Sequence, residues 1–260
     1  MNPITTVKGD ANIQRCAINS FKKYEPEHER ESREFTSFGK VKHAKQLAEL
    51  FLRFGYEDIH QRLDESSDHH YQKIYPAVSR LKCSSADVLS FSLQLINFEG
   101  EKYVRERAGL FLSALANSCS ELDVKVVTSY LKNIWFLAFR NNKHLIIEGD
   151  IGRYCGWNNE GTIDFIGSTD EVCFLNNHGT INIKGRLYQF SGSHNEGIIN
   201  VDGTVYPYSF SWNNGIVNMK GVSYASFKYE HPDWIGDGDI HLNGELIVSK
   251  GKLIVKDGSE

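Results

Sequence analysis

Four nine-residue segments recur at a strict interval of eighteen residues. They are Asn159-Glu-Gly-Thr-Ile-Asp-Phe-Ile-Gly167, Asn177-His-Gly-Thr-Ile-Asn-Ile-Lys-Gly185, Asn195-Glu-Gly-Ile-Ile-Asn-Val-Asp-Gly203 and Asn213-Asn-Gly-Ile-Val-Asn-Met-Lys-Gly221. A unit this small cannot bury its own apolar face, so neighbouring units must stack and share one core. Weaker copies flank the four, at Lys143–Gly149 and, after an insertion, at Gly238–Gly244.

Alternation inside the unit says which side chains share that core. Ile163, Ile181, Ile199 and Val217 form one column, and Phe165, Ile183, Val201 and Met219 form a second, two positions on. A strand turns successive side chains to opposite faces, so both columns point inward while Asp164, Asn182, Asn200 and Asn218 point outward. A second apolar half is expected from Ile151, Leu187 and Val205, with Thr169 in the same slot, and from Tyr154, Val172, Phe190 and Tyr208. Glycines at both ends of the unit permit the bends that close a coil.

The pattern Asn-x-Gly-x-Ile-x-h-x-Gly, with h apolar, resembles the broad parallel β-helix, or β-solenoid, class over about residues 143–248. The six-residue Ile-Gly period of left-handed acyltransferase helices is absent, as is the Gly-Gly-x-Gly-x-Asp of calcium-binding nonapeptides. The Thr-x-Thr arrays of ice-binding solenoids are replaced by Thr162, Thr180, Ile198 and Ile216.

The first half of the chain differs in kind. Of 22 glycines only Gly9, Gly39, Gly55, Gly100 and Gly109 precede residue 140. Val41, Ala44, Ala48 and Phe51 make an apolar helical stripe that Gly55 can stop, and Val104, Ala108, Phe111 and Leu115 make another. Ser120 and Asp123 resemble a capping box opening a third helix along Val124, Val127, Leu131, Ile134 and Ala138. Leu89–Leu95 alternates like a strand, yet its neighbours favour a helix. The expected class is α+β: a flexible arm over 1–38, a helical region over 39–140, and an eighteen-residue-coil solenoid of about six coils over 141–260.

The net charge of −4 gives no electrostatic case for nucleic acid. The longest apolar run, near Ile134–Phe139, is too short to span a bilayer, and nothing resembles a signal peptide. Five scattered cysteines make neither a disulfide framework nor a zinc motif. A cytoplasmic setting is expected.

Several columns carry candidate chemistry. Asn159, Asn177, Asn195 and Asn213 read as an amide ladder that holds coils together. Glu160, His178 and Glu196 read as a surface charge ladder more than as a metal site. Cys155 and Cys173 should stack as thiols. Gly236–Asp239 reads as a turn and not a calcium loop. Asp170, Glu171 and Asp202 lack the partners that sugar hydrolysis needs. Tyr188, Tyr206 and Tyr224 share one outward slot, and Trp157 and Trp212 sit at the next corner, so Tyr188, Tyr206, Tyr224 and Trp212 form the candidate binding surface. No catalytic residue, metal or cofactor is assigned. The expected function is that of a non-enzymatic interaction or scaffold protein presenting its solenoid to a partner protein. The alternative is a carbohydrate-binding or carbohydrate-active protein that uses the flank of the β-helix. Self-association stays open.

Overall fold

The computed structural model describes residues 43–54, 63–221 and 236–254. The expected arm, the insertion at 227–234 and Tyr224 lie outside them.

Four α-helices come first: α1 (Ala44–Arg53), α2 (Leu63–Ser79), α3 (Ser85–Gln94) and α4 (Val104–Ser118), with a 3-10 turn at Leu95–Phe98. The Leu89–Leu95 stretch is helical, as its neighbours imply. A capping box starts α3: Asp87 N donates to Ser84 Oγ at 3.3 Å, and Ser84 N donates to Asp87 Oδ2 at 2.9 Å. Phe51 of α1 sits edge-on to Phe91 of α3, to Phe98 and to Phe111 of α4, with ring centroids 5.1–5.6 Å apart.

The helix expected over 124–138 does not form. Asp123–Val127 is strand β1, paired in parallel with β2 (His144–Glu148). Val124 and Val126 are buried and β-branched, which suits a strand. Phe136, Ala138 and Arg140 have φ of 60°, 61° and 52°, which no helix admits. The apolar spacing that imitates a helix belongs to the first coil.

Strands β3 (Thr162–Ser168), β4 (Thr180–Leu187), β5 (Ile198–Val205), β6 (Ile216–Lys220) and β7 (Asp239–Leu242) continue the parallel stack in sequence order. Ile163, Ile181, Ile199, Val217 and Ile240 pair in one line, each at most 1 % exposed. From β2 to β6 the period is even, so alternation keeps the inward-facing strand positions odd-numbered from coil to coil. That corrects one expectation. Tyr154, Val172, Phe190 and Tyr208 are even-numbered, lie at left-handed φ (57–64°) and stay half-buried or exposed. Cys155, Cys173, Ser191 and Ser209, one residue on, fill the interior instead.

Glycine is required where coils touch. A Cβ on Gly179 would lie 2.0 Å from the Gly161 carbonyl oxygen, and one on Gly185, at φ 148°, would lie 1.9 Å from that of Gly167.

The corner beside the first of these glycines is held by a buried amide ladder of Asn141, Asn159, Asn177, Asn195 and Asn213, each at most 1 % exposed. Each Nδ2 donates to the next Oδ1 at 2.7–2.8 Å. From Asn159 on, each Nδ2 also donates at 3.0–3.1 Å to the carbonyl two residues ahead. Asn141, outside the repeat as read from sequence, is its first member.

Both ends of the stack are covered, as an open sheet edge requires. At the start, α3 and α4 lie on the first coil. Ser113 Oγ donates to Phe136 O at 3.0 Å, Asn117 Nδ2 donates to Arg140 O at 2.9 Å, and Ser92 Oγ accepts from Val127 N at 3.2 Å. At the far end, Asn243 and Gly244, both at positive φ, reverse the chain into antiparallel strands β8 (Glu245–Ser249) and β9 (Lys252–Leu253). Among the described residues no helix is long and apolar enough to cross a membrane.

Candidate binding surfaces

The outer face of the sheet carries a second amide ladder. Asn218 Nδ2 donates to Asn200 Oδ1 at 2.8 Å, Asn200 to Asn182 at 2.8 Å, and Asn182 to Asp164 Oδ1 at 2.7 Å. Asp164 only accepts, so every amide must donate toward it, and this ladder runs opposite to the buried one. Its amides line a groove of about 830 Å³ over β3–β7, together with Lys184, Asp202, Lys220 and His241. Each of these amides spends one of its two N–H groups on the ladder, which leaves the other for a ligand.

At the other end of the ladder Asp164 Oδ2 meets His144 Nε2 at 2.8 Å, while His144 Nδ1 meets Asp123 Oδ1 at 2.7 Å. A neutral imidazole donates from one nitrogen only, so this bridge suits the imidazolium. Its hydrogen bonds to Asp164 and then to Asp123 raise the His144 pKa, and those that Asp164 accepts from Asn182 and then from His144 lower that of Asp164. The signs fix a pH window. His144 contributes below its ordinary value of 6.5, and that contribution fades as pH rises through its higher folded value. Asp164 contributes above its ordinary 3.8 and loses that contribution as pH falls through its lower folded value. Both side chains are over a third exposed, so screening holds the effect to about 1 kcal/mol or less. The melting-temperature gap between the wild type and His144→Gln should therefore narrow between pH 6 and 9. A gap that stays constant with pH would discard the charged bridge.

Three ring pairs stack on the two consecutive coils that contain β4 and β5: Tyr188 on Tyr206 at 4.4 Å, Phe190 on Tyr208 at 5.4 Å, and His194 on Trp212 at 4.8 Å, with interplanar angles of 9–12°. Phe190 and Trp212 are 40 % and 42 % exposed. Of the sequence-derived surface, Tyr188 and Tyr206 come together. Trp212 lies six residues past Tyr206 in another column, and Tyr224 is outside the described residues. Trp157 occupies the slot just before Trp212's column and packs against the core with Tyr154 and Phe139. Phe190, Tyr208 and His194 were hidden in the sequence because the first two read as interior residues.

The remaining candidates resolve into structural contacts. His178 pairs with Glu196 at 3.2 Å and Glu160 does not join them, while His194 is stacked on Trp212. Cys155 and Cys173 are free, buried thiols that donate to Ile134 O and Gly152 O at 3.1 and 3.0 Å; burial pushes the Cys155 pKa up. Asp170 and Glu171 face Arg153 at 3.7 and 2.9 Å, away from Asp202. Gly238 N donates to Asn213 O at 2.7 Å and Ser249 Oγ to Asp239 Oδ1 at 2.6 Å, so 236–239 is a turn into β7. His43, Cys83 and Asp87 bring three metal-type atoms within 4.8 Å of one another. The Asp87 carboxylate is already held by Ser84 and His43 N, and burial pushes the Cys83 thiol up to about 12, so the cluster acts as a helix cap. The chain matches no protein-family model, no curated protein and no solved structure.

Proposed function

We propose that the protein is a non-enzymatic interaction module whose solenoid flank is docked by a partner protein. The three stacked ring pairs carry this reading. Stacking fixes the rings before any partner arrives, so little rotamer entropy is lost on docking. Tyrosine and tryptophan bury large areas with a polar handle and dominate interface hot spots. The ring column recurs at the start of the stack, where Phe136 of the first coil stacks on Tyr154 at 5.3 Å and Trp135 meets Tyr154 edge-on.

A second reading rests on a different face. The groove offers one spare N–H at each of Asn182, Asn200 and Asn218, a regular row that suits the hydroxyls of an extended glycan. One experiment separates the two. The full chain, Tyr206→Ala and Asn200→Ala are compared in pull-downs from native cells and on a glycan array. The protein-docking reading expects Tyr206→Ala to lose proteins that the wild type retains, with its melting temperature little changed. Glycan signal lost only in Asn200→Ala would favour the groove. A large melting-temperature drop in Tyr206→Ala, or undiminished capture, would sink the aromatic strip.

A further inference from the structure

Arg107 on α4 is 7 % exposed, and among the described residues its buried Nε and Nη2 have no hydrogen-bond partner. Its guanidinium lies over the Phe51 ring, 4.7 Å from the centroid. Glu101 and Glu106 act on it only at a distance, and burial lowers its pKa. An arginine cannot shed its proton to escape this, so a buried guanidinium calls for an anion. Nε and Nη2 form the side edge of the guanidinium, the fork that takes both oxygens of one carboxylate. Beside Arg107, between α1, α2 and α4, lies a cavity of about 60 Å³ whose walls include Phe51, Phe54, Ile74 and Leu110. Lys73 and His70 also line it, and the lysine adds to its positive character. A void of that size admits several water-sized groups.

We propose that this cavity binds a short-chain aliphatic carboxylate, its two oxygens on Arg107 Nε and Nη2 and its alkyl tail against the phenylalanine and aliphatic walls. The site is separate from the solenoid flank and does not depend on what docks there. Inorganic anions satisfy the charge but leave the apolar walls uncovered, so they are the weaker ligands. The chemistry is binding alone; no bond is made or broken.

The test uses the full chain with acetate, propionate and butyrate as probes, against sodium chloride at matched ionic strength and inorganic phosphate. Calorimetry should show one saturable site per chain for at least one carboxylate, with a matching rise in melting temperature. Arg107→Met removes the charge at similar length and should weaken binding about ten- to hundredfold, the cost of losing charged hydrogen bonds. Leu110→Phe keeps the arginine and fills the cavity; it should abolish binding while the melt stays cooperative, which covers the case of an unfolded Arg107→Met. The proposal is overturned if no carboxylate saturates, if phosphate binds better than all three, or if Leu110→Phe binds as well as the wild type.

Discussion

Asn177→Asp should destabilise the protein by on the order of 3–5 kcal/mol at neutral pH, the cost of an uncompensated buried charge. The change is nearly isosteric, so it opens no cavity. It replaces an Nδ2 that faces three acceptors, Gly179 O, Asn195 Oδ1 and Ile198 O, at 3.1, 2.8 and 3.3 Å. A carboxylate oxygen there meets only oxygens. The new carboxyl can recover by taking up a proton, which makes it a donor again, so its folded pKa rises above its unfolded one. The folded state then binds more protons than the unfolded state, and stability must fall as pH rises. Denaturant melts at pH 4 and 7 should show a much smaller penalty at pH 4. A penalty equal at both values, or below about 1 kcal/mol at pH 7, would mean that the amide direction is not what holds this corner.

The repeat was legible because each coil repeats the same demands in the same slots. Ile163, Ile181, Ile199 and Val217 meet the same neighbours and keep the same shape. Outward Asn182, Asn200 and Asn218 were placed on the correct face for the same reason, and so were Tyr188 and Tyr206. What failed was local. Val124–Ala138 carries apolar residues at helical spacing, and nothing in that stretch reveals that Phe136, Ala138 and Arg140 take left-handed φ. The first coil also runs twenty-one residues, from Asp123 to its partner His144, and so escapes an eighteen-residue search. Hydrophobicity alone puts Phe190 and Tyr208 in the core, although within the repeat they share the parity of the outward tyrosines. Parity holds within the strands and also fits Phe190, Tyr208, His194 and Trp212, but it fails at the turns, where even-numbered Phe174 and Phe210 take left-handed φ and are fully buried. The His144 bridge and the Arg107 cavity join residues remote in sequence, and neither spacing nor composition marks them.

The alternation of faces is the central claim, and two neighbouring residues of β4 test it. Ile181 is fully buried between Ile163 and Ile199, while Thr180 is half-buried on the outer face between Thr162 and Ile198. Asn182 is a poorer control, because an aspartate there would face Asp164. Ile181→Asp places an unpaired charge in the middle of the shared core and costs several kcal/mol, a large part of the stability of an ordinary domain. Thr180→Asp leaves its charge in water and costs about 1 kcal/mol through weaker strand preference. The two single mutants should be melted side by side under identical conditions. Loss of the cooperative transition in Ile181→Asp, with Thr180→Asp melting within several degrees of the wild type, is the predicted result; comparable losses in both, or the reverse order, would contradict it.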